Sequence, residues 1–131
     1  MTPRARPRLA EYLAHILEAI ERIDRYTAGL DEAGFLREAL VQDAVIRNLE
    51  IIGEASHGIL RHHPEVAAAH PELPLAAAYQ MRNAIAHGYF CVDLAIVWRT
   101  VQRDLPDLRR RVQGLAAGLD QAGEGAEGGS R

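Results

Sequence analysis

Lysine is missing from this chain of 131 residues, and all fifteen of its basic positions are arginine. A guanidinium grips phosphate or carboxylate through a planar two-pronged fork, where an ammonium acts as a point charge. Cysteine occurs once, at Cys91. That excludes an internal disulfide and fits a reducing compartment. Aromatics make up only 5 % of the residues, while alanine and leucine are plentiful, a balance that favours close-packed helices over sheet. No apolar run approaches the roughly 18 residues that a membrane span needs, and no signal-peptide pattern opens the chain. The expected location is the cytoplasm. Neither charge sign dominates, since the formal net charge is −3. A nucleic-acid partner therefore has to be held by local patches, not by a global field.

What is present is helical periodicity. Residues 1–7, with Arg4 and Arg6 between Pro3 and Pro7, read as a disordered N-terminal arm. Leu9, Leu13, Ile16, Ile20 and Ile23 recur at three- and four-residue steps and predict a first helix from Arg8 to Ala28, closed by Gly29. Glu18 and Arg22 form an i,i+4 pair on its solvent face. Leu30 to Arg37 is a connector with Phe35 tucked into the core. A second helix is predicted over Glu38 to Leu60, with Ala44, Val45, Leu49, Ile52 and Ile59 on one side and Arg47, Glu50 and Glu54 on a polar stripe. Pro64, Pro71 and Pro74 break the next stretch into turns. His57, His62, His63 and His70 gather there without a cysteine and without a His-x3-His pair, so they do not read as a metal site.

A third helix runs from Leu75 to His87, and Gly88 to Val92 form a turn. Asp93 caps a fourth helix with Leu94, Val97, Trp98, Val101 and Leu105 on one stripe. Pro106 starts a fifth helix carrying Leu108, Val112, Leu115 and Leu119. Its flank bears Arg109, Arg110 and Arg111, either a solvated face or a phosphate-facing patch. Residues 120–131 are too poor in apolar side chains to fold. The expectation is one all-α domain over residues 8–119, an up-and-down bundle of about five helices.

Chemistry concentrates between Met81 and Phe90. Arg82, Asn83, His87 and Tyr89 bring a permanent cation, an amide, an imidazole and a phenol into eight positions. On a helix, Asn83 and His87 share a face one turn apart. Arg82 and His87 diverge by about 140°, so they converge at Gly88, with the Arg reaching round, or across a second subunit. The bland alternative is an arginine bonding helix-end carbonyls beside a satisfied histidine.

The spacing Arg-x4-His-x-Tyr, here Arg82, His87 and Tyr89, resembles the signature of the HepT-like toxins, a branch of the HEPN ribonucleases. The stretch Ala44 to Ala55 looks like that family's second-helix block. Val92-Asp93 with Ile96-Val97-Trp98 looks like its post-motif helix, and Leu105 to Leu108 like its closing segment. The similarity covers roughly residues 8 to 113. One departure is Leu75 after Pro74, where relatives often carry tryptophan; the exchange concerns packing, not chemistry.

The resemblance implies a HEPN bundle acting as the toxin of a type VII toxin–antitoxin pair. It implies a metal-independent endoribonuclease, without cofactor, in which Arg82 and His87 are catalytic. Asn83, Arg47 and Glu54 support the site or bind RNA. It further implies a homodimer that joins a larger assembly with its antitoxin, an MNT-type nucleotidyltransferase. That enzyme modifies the hydroxyl of Tyr89 with AMP and so silences the ribonuclease. The rival reading is a non-catalytic subunit that presents substrate to, or regulates, a nucleotidyltransferase. An intact Arg82 and His87 favour the first, because a binding module has no need of the pair.

Overall fold

The computed structural model describes the backbone of residues 8–88 and 93–129, and the side chains of residues 8–86 and 93–120. The predicted N-terminal arm and residues 89–92 of the turn predicted over Gly88 to Val92 lie outside the described residues, while Gly88 itself is the last residue of a helix and not part of a turn. Seven α-helices and one π segment make up the described chain: α1 (Leu9–Thr27), α2 (Glu32–Arg37), α3 (Ala39–His62), α4 (Pro64–Ala69), α5 (Leu75–Gly88), α6 (Leu94–Arg99), a π segment (Thr100–Asp104) and α7 (Leu105–Gly129). The architecture is an all-α bundle, as the periodicity predicts, with more helices than expected.

Helix α3 is central, with α1 and α5 packed against it and α7 packed against α1. The α1 stripe folds as its spacing demands, with Leu13, Ile16, Ile20 and Ile23 all buried and Leu9 half-buried. Each such aliphatic side chain contributes about 1.5–3 kcal/mol on leaving water. From α3 come Val45, Leu49, Ile52 and Ile59, and from the C-terminal third Val97, Trp98, Val101, Leu105, Leu108 and Val112. Gly29 adopts a φ of 78° just past α1, the left-handed geometry a glycine accepts at a helix end.

Two connectors hold helices that are too short to show a period. In the first, Asp31 caps α2 by accepting a hydrogen bond from the Gly34 N–H at 2.7 Å. Phe35 is fully buried, its ring 5.2 Å from that of Trp98, which ties α2 to α6. In the second, Pro64 opens α4, since a proline in the first helical turn lacks only an N–H that would go unpaired anyway.

The predicted break before Pro106 is a widened turn instead. α6, the π segment and α7 follow one another without interruption, and the Leu105 N–H reaches back to the Thr100 carbonyl. Proline has no N–H to donate and its ring crowds the carbonyl four residues back, and a π turn relieves that crowding without ending the helix. Asp93 caps α6 as expected, accepting from the Ala95 and Ile96 N–H groups at 3.0 and 3.3 Å.

The three consecutive arginines of α7 have carboxylate partners. Arg109 pairs with Asp24 of α1, while Arg110 and Arg111 pair with Asp107 at 2.6 and 2.8 Å. The Arg111 side chain, hydrogen-bonded to Asp107, holds that carboxyl below its usual range. The last residue of α7 seen against the core, among the described side chains, is Leu119. The backbone continues helical to Gly129, beyond the 119 boundary read from the sequence.

Helices α3 and α5 approach closely at Gly53 of α3. A Cβ there would lie 2.2 Å from Cβ of Arg82 and 2.9 Å from the Ala78 carbonyl. Gly53→Ala is therefore expected to cost about 1–3 kcal/mol through overpacking, whereas Gly114→Ala, where an added Cβ meets nothing within 4 Å, should gain up to about 1 kcal/mol from helix propensity. Urea denaturation of both variants measures the contrast, and equal effects would contradict it.

Candidate functional site

Helices α3 and α5 run antiparallel: Gly53 meets Ala78 and Arg82, and His57, one turn further along α3, meets Tyr79, one turn earlier in α5. Glycine at 53 lets the two backbones close until Arg82 leaves α5 directly over α3. The Arg82 side chain, 31 % exposed, then turns along the α3 surface. Its Nε comes within 2.6 Å of Oε1 of Glu54. The N–H is not aimed at that oxygen, so the contact is an ion pair without hydrogen-bond alignment. Its Nη1 donates to Oδ1 of Asn83 at 3.0 Å. Two sides of the guanidinium are thus held, and Nη2 has no partner among the described residues. The two N–H groups of Nη2 are left to meet a phosphate oxygen.

Three of the residues singled out in the sequence, Arg82, Asn83 and Glu54, therefore meet. Arg47 stands two turns before Glu54 on α3, is exposed, and lines the same groove as Glu54. His87 occupies the last turn of α5, and its side chain lies outside the described residues. Tyr89 lies outside them altogether. The histidines grouped by sequence disperse. His57 stacks on Tyr79 at 4.1 Å, His62 and His63 flank the Tyr12 ring, and His70 sits 3.2 Å from Glu72. Among the described residues no group of three His, Cys, Asp or Glu side chains could hold a metal ion.

Sequence reasoning passed over three features. One is Gly53, whose only signal was a small residue inside a helical block. Another is the His57–Tyr79 stack, which depends on the register between two helices. The third is Asn48, which is 5 % exposed. Its Nδ2 donates to the Ala44 carbonyl at 2.8 Å, and its Oδ1 is buried without a partner among the described residues. The antiparallel register sets Asn48 level with the last turn of α5. A buried acceptor left unpaired costs about 1–3 kcal/mol, so this position is expensive unless something satisfies it.

The Glu54 side chain is 54 % exposed, so water screens the ion pair. Glu54→Gln keeps the shape and removes the charge, and should change stability by no more than about 1 kcal/mol. Thermal or urea unfolding measures this, and a larger loss would mean that the pair is structural and not a device for placing Arg82.

No helix among the described residues is long and apolar enough to cross a membrane. The family described as "Ribonuclease HepT-like" matches residues 16–115. The chain is 41 % identical over 105 residues to "Probable ribonuclease HepT" of Thermococcus cleftensis, an alignment covering 80 % of this chain and 93 % of the relative. It is 38 % identical to "Gamma-glutamylcyclotransferase and putative RNase MJ0434" of Methanocaldococcus jannaschii, over 84 % of this chain but 48 % of that longer protein. To "Putative RNase MJ1380" of the same organism it is 33 % identical, over 78 % of this chain and 91 % of the relative. No solved structure matches significantly. With the matched region spanning the α3–α5 site and most of the core, the chain belongs to the HepT-like ribonuclease family.

Proposed function

We propose that the chain is a metal-independent endoribonuclease, the toxin of a toxin–antitoxin pair, and that Arg82 and His87 are its catalytic residues. The observation that carries the proposal is the Arg82 guanidinium, held at Nε by Glu54 and at Nη1 by Asn83 with Nη2 left for substrate, five positions before a histidine whose ordinary titration lies near neutrality.

Cleaving RNA at a phosphodiester requires a base to take the ribose 2′-hydroxyl proton. The 2′-oxygen then attacks phosphorus as the bond to the 5′-oxygen breaks, and an acid returns a proton to that oxygen. Negative charge grows on the phosphoryl oxygens, which a positioned guanidinium stabilises. His87 takes the role of base or acid and Arg82 that of the cation. Asn83 holds Nη1 of Arg82, and Glu54 holds Nε; Arg47 lies further along α3, where the RNA strand would pass.

One histidine per chain is short of a base-and-acid pair. Helix α5 stays regular through Gly88, which separates positions 82 and 87 by about 140° around its axis. A homodimer that faces two motifs toward each other supplies both the base and the acid. The partner that silences the enzyme is an MNT-type nucleotidyltransferase, with Tyr89 as AMP acceptor. An adenylyl phosphate two residues from His87 adds charge and bulk where the substrate phosphate would bind.

His87→Ala and Arg82→Ala are each expected to abolish cleavage of total RNA in EDTA while leaving the helical circular-dichroism signal unchanged. Mixing the two inactive proteins should restore partial activity if Arg and His act across the dimer. Full activity of His87→Ala, or activity of a monomer by light scattering, would count against the respective assignment.

Tyr89→Phe keeps the ring and removes the acceptor oxygen. The variant should still cleave RNA and should escape inhibition by the co-expressed nucleotidyltransferase with ATP. Intact mass should rise by AMP units on the wild type alone. An equal rise on Tyr89→Phe would place the acceptor elsewhere.

A further inference from the structure

On the other flank of Glu54, between α1 and α3, runs a groove of about 420 Å³. Tyr12 and His15 form its α1 wall, and Arg47, Glu54, His57 and Arg61 its α3 wall. Its floor closes because residue 58 is glycine: a Cβ there would lie 2.2 Å from Cε1 of Tyr12. The Tyr12 ring can therefore rest on the α3 backbone. The His62 ring lies nearly parallel to it at 6.4 Å. Toward α5, the His57 ring is stacked on Tyr79.

The charge pattern matters as much as the shape. Glu54 is the one carboxylate among the lining residues, and its charge is engaged by Arg82. Arg47 and Arg61 are exposed and have no ion pair among the described residues. In a protein of net charge −3, this is a local excess of cations interleaved with flat rings. Guanidinium forks take phosphates bidentately, and aromatic faces take unstacked bases without regard to sequence. Along α3, Arg47 and Arg61 stand about 21 Å apart, a length that about six stacked nucleotides of one strand would span.

We propose that this groove binds single-stranded RNA flanking the scissile phosphate. Arg47 and Arg61 hold the backbone, the Tyr12 and His57 rings face the bases, and Glu54 is the junction at which the strand reaches Arg82. The proposal rests on the ribonuclease reading of the Arg82 site and adds a substrate track to it.

Fluorescence anisotropy on full-length His87→Ala protein tests the track apart from cleavage. The probes are unstructured fluorescein-labelled oligoribonucleotides of mixed sequence, one of about 12 nucleotides and one of about 3. Adding Arg61→Glu should weaken binding of the long probe by about tenfold or more and lower its salt slope by about 0.7 for each phosphate that the groove no longer neutralises. Affinity for the short probe should change far less. Arg61→Gln, a milder change, should act in the same direction. Arg25→Glu on an exposed stretch of α1 makes the same charge change away from the groove and should leave the long-probe affinity within about twofold.

Unchanged long-probe binding by both Arg61 variants overturns the track, and so does an equal loss in Arg25→Glu, which would be a global charge effect. A change of oligomeric mass in Arg61→Glu without loss of RNA affinity also overturns it, since the groove would then belong to a subunit contact. Wild-type protein that leaves total RNA uncut fails the ribonuclease reading itself, whatever the Arg61 variants do.

Discussion

The close approach of α5 to α3 at Gly53 is the constraint on which the site depends. Any larger residue there would push the Arg82 Cβ outward, because 2.2 Å is far inside the contact distance of two carbons. With glycine, Arg82 leaves α5 low enough that its guanidinium lies along α3, within reach of Glu54. The pairing of His57 with Tyr79 one turn away follows from the same register. Core packing and candidate chemistry are therefore one arrangement. The apolar residues Ile52 and Leu49 bury themselves beneath α5, and in doing so fix the height at which the polar stripe above them meets Arg82.

The C-terminal third shows a second compromise of this kind. Pro106 cannot donate a backbone hydrogen bond, yet Leu105, Leu108 and Val112 must continue the stripe begun by Val97 and Val101. A π segment absorbs the conflict by letting Leu105 bond five residues back to Thr100. Thr100 also donates its hydroxyl to the Ile96 carbonyl at 2.9 Å, which occupies an acceptor near the widened turn. Beside this segment lies a cavity of about 590 Å³ between α3, α5 and the start of α7, lined largely by apolar side chains such as Leu49, Ile52 and Met81.

Much of this is legible in the sequence, and what escapes has physical causes. The long stripes of α1 and α3 are readable because each spans several turns, and burial there follows periodicity alone. Helices α2 and α4 are not, since six residues cannot display a 3.6-residue period. The cap Asp31 and the first-turn Pro64 are their only signals. Pro106 reads as a clean helix start, whereas tertiary packing keeps the helix continuous through a π turn. The motif points to Arg82 and, through the polar stripe, to Glu54. That these two pair, and that Arg47 instead lines a groove, depends on how far α5 slides along α3. No single helix encodes that distance.

A carboxylate beside an arginine proposed to bind phosphate looks self-defeating, and magnitudes decide whether it is. Two unit charges about 7 Å apart repel by about 0.6 kcal/mol in water and by about 2.4 kcal/mol at an effective dielectric constant of about 20. Against this stands the rotamer freedom of a free arginine, worth up to about 2 kcal/mol, which a pre-placed guanidinium need not lose when substrate arrives. The Glu54 side chain is 54 % exposed, so the repulsion lies toward the aqueous end of that range. Exposure thus lets Glu54 orient Arg82 while costing little of its attraction for phosphate. Were the same pair buried, the carboxylate would neutralise the cation it positions, and the Nη2 group would have little field left to offer an anion.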